Sequence, residues 1–239
     1  MSSPAEVWLV LPTFNEAENV EAIVAAARAN LPAGARVLVV DDGSPDGTGE
    51  LADAIAAEHD EVEVLHRPVK EGIGPAYVAG FRHALERGAR LLAQMDADFS
   101  HDPADLPRLL AVAQDADLVI GSRYVEGGGV SDWGPLRRAI SWGGSAYARA
   151  VLRVGVSDLT GGFKVIRREV LEAIDLGSIA SLGYAFQVEV TYRALRAGFR
   201  VVEVPIVFRD RRVGQSKMTR EIVWEAALGV PRMRQRGRR

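Results

Sequence analysis

The chain has 239 residues, 48% hydrophobic and 26% charged, which is enough for one large domain with a substantial core. It contains no cysteine, which excludes disulfides, thiolate zinc sites and a cysteine nucleophile. The net charge of −3 hides an asymmetry, because residues 209–239 hold ten basic and three acidic side chains. That C-terminal end carries +7 and the rest of the chain −10, which predicts an anionic neighbour for the C-terminal end.

Hydropathy predicts neither a leader nor a membrane span. Residues 1–11 lack a basic region and hold only a five-residue apolar run before Pro12, so we expect no signal peptide. The sequence has no stretch of about 18 uncharged apolar residues, the length that a transmembrane helix needs. These features and the lack of cysteine are compatible with an intracellular protein.

Short apolar runs alternate with helix-forming stretches. The predicted strands are residues 7–11, 36–40, 62–65, 91–95 and 117–120. Apolar residues recur at helical spacing from Val20 onward, which predicts a helix there. Turn residues before Thr48 and Ile73 predict that two further helices begin at these positions. Later in the chain, we expect helices over residues 133–154 and 184–197 and a strand over residues 201–208. Apolar strands that alternate with helices predict a mostly parallel sheet with helices on both faces.

Polar clusters follow three of these strands, at residues 12–16, 41–44 and 96–100. Because ligands of open α/β sheets bind outside the carboxyl ends of the strands, we expect these clusters to line one crevice. No Gly-x-Gly-x-x-Gly follows the first strand, which argues against a nicotinamide dinucleotide.

Asp96 and Asp98 end the fourth strand, separated by one alanine. Residues i and i+2 of a strand project to the same side, so both carboxylates can point into the crevice. Mg²⁺ typically takes one or two such carboxylates, keeps some waters and binds substrate phosphates. The alternative is that both are solvated acids that cap a helix beginning near Pro103.

Two stretches are amphipathic. The helix over residues 133–154 combines Trp133 and Trp142 with several arginines, so it could lie at a membrane interface or pack on the core. A second apolar stripe, near Trp224 and Val230, is too short to span a bilayer but suits its surface or a partner protein.

The basic residues near the C-terminus suggest two roles. Residues 209–217 interleave glycine and serine with basic side chains, which favours a phosphate-binding loop over a solvated surface run. The last five arginines fit either a weak attraction to anionic lipid or a disordered tail. Nucleic-acid binding is not expected, because the body is acidic and aromatics are not interleaved with basic residues.

Several motifs together resemble a known family. They are Pro12-Thr13-Phe14-Asn15-Glu16, Val39-Val40-Asp41-Asp42-Gly43-Ser44-Pro45-Asp46-Gly47-Thr48, Asp96-Ala97-Asp98, Gly121-Ser122-Arg123-Tyr124, Ser157-Asp158-Leu159-Thr160-Gly161-Gly162-Phe163 and Gly214-Gln215-Ser216-Lys217. The chain resembles the inverting glycosyltransferases of family two, specifically the polyprenol (dolichol) phosphate mannose synthases. The resemblance implies a GT-A type Rossmann-like α/β sandwich over residues 1–218, with residues 219–239 as an amphipathic helical extension and basic tail.

The resemblance also implies roles for individual residues. The nucleotide would lie on Pro12, Phe14, Glu16, Val39 and Asp41, although Phe14 stands where tyrosine is common in the family. Asp96, Ala97 and Asp98 would meet the diphosphate through Mg²⁺ or Mn²⁺, with Ser100 as a further metal ligand. The basic residues implied to contact the donor or acceptor phosphates are Arg123, Arg137, Arg138, Arg211, Arg212 and Lys217. Those given a catalytic role are Asp96, Asp98, Arg123 and Arg211.

The implied activity is transfer of mannose from GDP-mannose to a polyprenyl monophosphate with inversion. A phosphomonoester has a second pKa of about 6, so it is a nucleophile that needs no general base. Glu16, His101 and Asp158 are therefore expected not to act as one, and Asp158 is expected to order a turn. The alternatives are a UDP-glucose-dependent glucosyltransferase with the same type of acceptor and a catalytically silent nucleotide-sugar-binding scaffold. The lipid acceptor implies a cytoplasmic protein that is peripheral on the cytoplasmic face of a membrane, through its amphipathic segments or a membrane-protein partner.

Overall fold

A computed structural model describes residues 6–179, 181, 183–210 and 229–235. The strands are β1 Val7–Thr13, β2 Arg36–Asp41, β3 Val62–His66, β4 Leu91–Gln94, β5 Leu118–Ser122, β6 Gly129–Val130, β7 Lys164–Arg167, β8 Val201–Pro205 and β9 Val207–Phe208. The helices are α1 Val20–Asn30, α2 Thr48–Glu58, α3 Ile73–Glu86, α4 Leu106–Val112, α5 Pro135–Leu152, α6 Arg168–Ala173 and α7 Gly183–Arg196. Residues 229–235 are also helical.

Seven strands form one sheet in the order β3-β2-β1-β4-β7-β5-β8. All neighbours are parallel except β7, which runs antiparallel between β4 and β5. β6 and β9 form a separate two-stranded parallel sheet. The predicted mostly parallel α/β sheet is therefore confirmed, and β7 is the one reversed strand of the large sheet.

Helices cover both faces of the sheet, as predicted. Trp8 and Val10 of β1 pack in a cluster that includes residues of α3, α5 and α7. Leu9 and Leu11 point the other way, into a cluster that includes residues of α1 and α4. This alternation explains the uninterrupted apolar strands, because each face of the sheet has its own buried layer.

The strand predicted over residues 201–208 is interrupted. β8 lies at the edge of the large sheet and ends at Pro205, which has no N–H to donate. The Ile206 amide still donates to Ser122, and Val207 and Phe208 then pair with β6. The chain thus leaves the large sheet at Pro205 and passes toward the carboxyl ends of its strands.

The C-terminal helical turn packs on the body of the protein. Val230 and Met233 are buried in the cluster that contains residues of α5 and α7, and Arg234 donates to the Val151 carbonyl at 3.0 Å. Val230 therefore belongs to the core and not to a bilayer-facing stripe. Burial of such a side chain contributes about 1.5–3 kcal/mol to the stability of the fold. Trp224 lies outside the described residues, and the boundary expected after residue 218 stays a prediction. Among the described helices, none is long and apolar enough to cross a membrane.

Candidate active site

The polar clusters after β1, β2 and β4 meet at one edge of the sheet. Thr13 pairs with Asp41 in register, and Val10 pairs with Gln94 at the end of β4. The loop after β1 is fastened to the loop after β2, since the Asn15 amide donates to Ser44 Oγ at 3.0 Å. These pairings place the three clusters around the single crevice that the sequence predicted.

Asp41 is buried at the base of this crevice. Its carboxylate accepts hydrogen bonds from Thr13 Oγ1 at 3.3 Å, Ser44 Oγ at 2.5 Å and the Ser44 amide at 3.1 Å. The predicted nucleotide residues Pro12, Phe14 and Glu16 are half-buried beside it. The Val39 side chain has no exposed surface and packs in the core, so a nucleotide could meet only its main chain.

Sequence reasoning missed Lys70 at this edge. Its Nζ lies 3.7 Å from the centroid of the Phe14 ring. Lys70 belongs to the loop between β3 and α3, so only the approach of that loop to β1 brings the charge to Phe14. No local pattern in the sequence signals such a contact.

The two aspartates after β4 differ in environment. The Asp96 side chain is 27% exposed and accepts a hydrogen bond from the Tyr77 hydroxyl at 3.3 Å. Burial, together with the charge of Asp96, raises the pKa of Tyr77 well above its usual value, so the phenol stays a donor. Asp98 is buried, and its Oδ1 accepts from the Ser100 amide at 3.0 Å.

The helix-capping alternative for these aspartates is wrong. The 3₁₀ turn at Pro103–Asp105 is capped by Asp102, whose Oδ1 accepts from the Ala104 amide at 3.0 Å. Asp96 and Asp98 stand before this cap and face the crevice side of the loop with Tyr77 and Ser100. They are therefore available for chemistry rather than for helix termination.

The set of oxygens here fits a hard divalent cation. Within the described ranges, no group of three acidic or histidine side chains forms a complete metal cage. Two carboxylates with a hydroxyl are instead the partial set that Mg²⁺-type ions complete with water and phosphate oxygens. Ser100 Oγ is buried without a hydrogen-bond partner, which is the kind of orphaned acceptor that a cation would satisfy.

His101 supports the Asp96 main chain. Its Nδ1 accepts from the Asp96 amide at 3.2 Å, which assigns the proton to Nε2. The ring is buried between Phe163 and Phe208, at centroid distances of 5.2 Å to each. Burial lowers the pKa of His101, which favours the neutral imidazole.

The segment that contains Gly161 and Gly162 faces Asp96. A Cβ on Gly162 would come within 3.3 Å of His101 Cε1 and 3.7 Å of Asp96 Oδ2. A Cβ on Gly161 would lie 3.2 Å from the Gly121 carbonyl oxygen. A side chain on Gly162 would crowd His101 beside the Asp96 carboxylate, and one on Gly161 would crowd the Gly121 carbonyl, which explains the glycine pair.

Arg123 is held in a buried ion pair. Its side chain donates from Nε and Nη2 to the two oxygens of Asp158, at 2.7 Å each, and from Nη2 to Thr160 Oγ1 at 2.8 Å. Although burial alone raises the pKa of Asp158, the charge and hydrogen bonds of Arg123 outweigh it and lower that pKa. Asp158 is thus ionised and engaged, so it orders the turn around Arg123 and is not placed to act as a base.

Glu203 fixes the loop that carries Asp158. Its carboxylate accepts from Ser122 Oγ at 2.7 Å, the Ser157 amide at 2.7 Å and the Asp158 amide at 2.8 Å. Glu203 lies on β8 and was missed by sequence reasoning, because one glutamate in a predicted strand carries no signal of its partners.

Arg137 and Arg138 lie in the first turn of α5. Arg137 Nη1 contacts both oxygens of Asp210 at 2.9 Å, and Arg138 Nη2 donates to the Val130 carbonyl at 2.6 Å. Arg137 and Arg123 also approach the same ring, since their guanidinium carbons lie 4.2 Å and 6.0 Å from the centroid of Trp133. Arg211, Arg212 and Lys217 lie outside the described residues, and their expected phosphate contacts stay predictions.

A second buried cation, Lys164, was not singled out from the sequence. It has no exposed surface and donates from Nζ to the Gln187 carbonyl at 2.8 Å and to Gln187 Oε1 at 2.9 Å. Gln94 Nε2 donates to the same Oε1 at 2.8 Å and to the Gly162 carbonyl at 2.7 Å. Burial lowers the pKa of Lys164 to about 7, although the charge of Asp158 opposes this.

One cavity lies elsewhere, at the amino ends of β1 and β2. Its volume is about 730 Å³, and its lining includes Arg28 and Arg36. These arginines are paired with Glu61 and Glu63, so the cavity offers no uncompensated charge. The concentration of orphaned and perturbed groups favours the crevice at the carboxyl ends as the functional site.

The protein is a glycosyltransferase, because the chain belongs to glycosyl transferase family 2, whose family model matches residues 8–175. An undecaprenyl-phosphate mannosyltransferase from Micrococcus luteus is 51% identical over 226 residues, which cover 95% of this chain and 93% of that protein. A polyprenol monophosphomannose synthase from Mycolicibacterium smegmatis is 50% identical over 232 residues, 96% of this chain and 87% of that protein. The family resemblance and the expected class of enzyme are thereby confirmed.

Solved structures bear out the GT-A fold. A glucosyl-3-phosphoglycerate synthase from Mycobacterium tuberculosis, in complex with Mn²⁺, UDP-glucose and phosphoglyceric acid, has a TM-score of 0.69 at 19% identity, over 95% of this chain and 80% of that one. A mannosyltransferase from Pyrobaculum calidifontis, in complex with GDP-Man and Mn²⁺, has a TM-score of 0.60 at 15% identity, over 99% and 74%. At these identities the likeness shows the shared fold alone.

Proposed function

We propose that this protein transfers mannose from GDP-mannose to a polyprenyl monophosphate and releases GDP. The observation that carries the proposal is the 50–51% identity, over almost the whole chain, to two proteins named for mannosyl transfer to polyprenyl phosphates. The crevice supports it, because Asp96 and Asp98 follow β4 and Arg123 follows the nearby strand β5.

The nucleotide sugar occupies the donor side of the crevice, which we define as residues 12–16, 41–48, 70 and 96–100. Asp41, with the half-buried Pro12, Phe14 and Glu16, is proposed to hold the nucleoside. Asp96, Asp98 and Ser100 would hold Mg²⁺ or Mn²⁺, which neutralises charge on a departing diphosphate when bound.

The acceptor phosphate occupies the acceptor side, which we define as residues 121–138, 157–163 and 203–210. Arg123 lies within 5.4 Å of the Phe208 ring centroid, which in turn lies 5.2 Å from the His101 ring beside Asp96. Guanidinium groups suit the binding of phosphate oxygens, and here they offset the repulsion between two phosphates brought close together. Asp158 keeps Arg123 fixed for this task.

The proposed reaction is a single displacement. An oxygen of the acceptor phosphate forms a bond to the anomeric carbon of mannose, on the face opposite the leaving group. The bond from that carbon to the β-phosphate oxygen breaks, and GDP takes the electron pair. The dianionic acceptor becomes a monoanionic phosphodiester, so charge balances without proton transfer and no general base is needed.

We propose that the outward face of α5 attaches the protein to a membrane. Leu136 is 73% exposed and Trp142 is 60% exposed, and Ile140 and Tyr147 are also exposed. Residues 133–156 contain four arginines and no acidic residue, which suits the cytoplasmic leaflet with its anionic lipids. Attachment through a membrane-protein partner would use the same face.

The membrane proposal is tested by flotation with vesicles that contain anionic lipid. Leu136→Ser with Trp142→Ser should remove most of the floating protein, whereas deletion of residues 236–239 alone should have a small effect. A deletion that also removes Val230 and Met233 would disturb the core and is unsuitable. Equal flotation of the double variant and the wild type would refute the role of α5.

The activity is tested with radiolabelled GDP-mannose, and separately UDP-glucose, with farnesyl phosphate as acceptor, in detergent with Mg²⁺. Metal-dependent product from GDP-mannose alone supports the proposal. Product from UDP-glucose would favour a glucosyltransferase. Binding of a nucleotide sugar without transfer to any acceptor would leave a silent binding protein.

A further inference from the structure

A chain of buried polar side chains lies where β4 and β7 meet the crevice. Gln94 ends β4 and Lys164 begins β7, and the two residues pair in register. Gln187 reaches both of them from α7. Gln94 and Lys164 have no exposed surface and Gln187 is 3% exposed, so bulk water does not satisfy their polar groups. Their donors and acceptors must therefore find partners within the protein.

These partners fix the orientation of each side chain. Lys164 Nζ donates at 2.8 Å to the Gln187 main-chain carbonyl and at 2.9 Å to Gln187 Oε1, so Gln187 presents its amide oxygen rather than its amide nitrogen. The same oxygen accepts from Gln94 Nε2 at 2.8 Å, and Gln94 Nε2 also donates to the Gly162 carbonyl at 2.7 Å. A chain of hydrogen bonds thus runs from Lys164 through Gln187 and Gln94 to Gly162.

The amide oxygen of Gln94 shows what this orientation costs. Gln94 Oε1 is buried without a hydrogen-bond partner. A flip of the amide would not pair it, because Oε1 would then face two other acceptors, Gln187 Oε1 and the Gly162 carbonyl. An unpaired buried acceptor costs free energy, and the fold bears that cost while the amide nitrogen stays on Gly162. Lys164 therefore selects, through Gln187, the end of the Gln94 amide that faces Gly162.

Gly162 lies between the two sides of the crevice. A Cβ at this position would be 3.7 Å from Asp96 Oδ2 on the donor side. On the acceptor side, the Gly121 amide donates to the carbonyl of the next residue, Phe163, at 2.8 Å. Gln94 itself stands two residues before Asp96. The bond from Gln94 to Gly162 therefore joins the strand that leads to the donor-side aspartates to the segment beside the acceptor-side strand β5.

We propose that Lys164 is a positioning residue for the transfer, because through Gln187 and Gln94 it holds the Gly162 segment at a fixed distance from Asp96. This inference rests on the proposed function. A single displacement needs the acceptor oxygen in line with the anomeric carbon at close range, and a misplacement of about 1 Å can cost about a hundredfold in rate. Loss of the chain should lower kcat and leave both KM values unchanged, because it removes no group that we assign to binding either substrate.

The test compares two Gln187 variants of nearly equal size. Gln187→Glu keeps oxygens for Lys164 Nζ and Gln94 Nε2, whereas Gln187→Met removes them. For transfer from GDP-mannose to farnesyl phosphate, we expect Gln187→Met to lower kcat about tenfold with both KM values unchanged. Gln187→Glu should keep about half or more of the wild-type kcat, because both donors still meet an oxygen. A space-filling role predicts the opposite order, since methionine packs well in a core and a buried carboxylate is costly.

Thr191→Val is the structural control. Thr191 Oγ1 is buried on the next turn of α7 and donates to the Gln187 carbonyl at 3.0 Å, but it does not lead to Gly162. This variant should keep the wild-type kcat. Each kcat is expressed per GDP-binding site, counted by titration calorimetry with Mg²⁺, so that a smaller folded fraction does not count as a slower reaction.

Lys164→Met should lower kcat as much as Gln187→Met does, and the double variant should lose no more than either, because both changes break one chain. Multiplied losses in the double variant, a wild-type kcat in Gln187→Met, or an equal loss in Thr191→Val would overturn the proposal. So would a change confined to either KM.

Hydrogen exchange of residues 157–163, followed by mass spectrometry, separates this inference from the proposed function because it needs no turnover. Faster exchange in Lys164→Met and Gln187→Met, but not in Gln187→Glu or Thr191→Val, supports the role of Lys164. Equal exchange in all five proteins overturns it. A wild type that transfers no mannose would refute the proposed function, and the exchange pattern would still decide whether Lys164 holds this segment.

Discussion

The donor side and the acceptor side of the crevice are built from different contacts. On the donor side, hydrogen bonds from uncharged groups to carboxylates and hydroxyls predominate, some of them local, as between the Ser100 amide and Asp98, and some joining two loops, as between the Asn15 amide and Ser44 Oγ. On the acceptor side, ion pairs join segments that are distant in sequence, since the residue numbers differ by 35 for Arg123 and Asp158 and by 73 for Arg137 and Asp210. Changes on the donor side should therefore reduce activity in an intact fold, and changes on the acceptor side should also reduce stability.

The largest effect is expected for Asp98→Asn. The variant keeps the size of the side chain and its acceptor oxygen for the Ser100 amide, but it loses the carboxylate that we assign to the metal and diphosphate. We expect activity to fall at least about a hundredfold with an unchanged melting temperature. Transfer assays and thermal melts measure both quantities.

Asp102→Asn is the control for that variant, because Asp102 caps the 3₁₀ turn and asparagine caps equally well. It should retain most of the wild-type activity. An active Asp98→Asn enzyme, or equal losses in both variants, would contradict the metal role of Asp98.

Asp158→Asn should destabilise the acceptor side of the crevice. It leaves the Arg123 guanidinium buried without its counter-charge, which costs about 3–5 kcal/mol of unfolding free energy. Urea denaturation measures this loss, and activity should fall with it. As a control, Asp105→Asn removes the surface ion pair with Arg108 and should lower the unfolding free energy by less than about 1 kcal/mol. If the two variants lost similar unfolding free energies, the buried pair would not be the stronger of the two.

Comparison with Lys164→Met tests how the buried Lys164 changes the pH dependence of the unfolding free energy. Burial lowers the pKa of Lys164 from 10.5 to about 7 in the folded state, so between these values the unfolded chain binds a proton that the folded chain does not. The unfolding free energy of the wild type should therefore rise with pH across this window, relative to Lys164→Met. Below pH 7 the charged form is present in both states and its burial penalty is complete, on the order of a few kcal/mol.

Urea denaturation of both proteins at pH 6, 8 and 9.5 measures that difference. The stability of the wild type relative to the methionine variant should be lowest at pH 6 and highest at pH 9.5. A constant difference across this range would show that Lys164 keeps an ordinary pKa.

The smallest effect is expected for Lys70→Ala on the donor side. Loss of the ammonium group over Phe14 should raise the KM for GDP-mannose about threefold to tenfold and leave stability unchanged. Lys70→Arg should restore most of the affinity, because it keeps the charge. If Lys70→Ala instead changed only the KM for the acceptor, Lys70 would not belong to the donor side.

The sequence by itself determined the parallel α/β fold, the crevice at the strand ends and the place of Asp96 and Asp98 after β4. These features are local, since apolar strands, turn residues and an Asp-x-Asp pair are read along a few consecutive positions. The burial of Val230 could not be predicted from its sequence neighbours. They indicate an exposed apolar stripe, but the Val230 side chain is buried against the body of the protein.

Only the tertiary structure decided which partners the buried charged groups have and which buried polar atoms have none. Asp158 and Glu203 bond to Arg123 and Ser122 because β7 inserts antiparallel between β4 and β5 and brings the residue 157–163 segment to the strand ends. Trp133 and Phe208 meet because Pro205 ends β8 and the chain crosses to β6. Such contacts depend on which strands are neighbours, and strand order is a property of the packed sheet rather than of any short stretch of sequence.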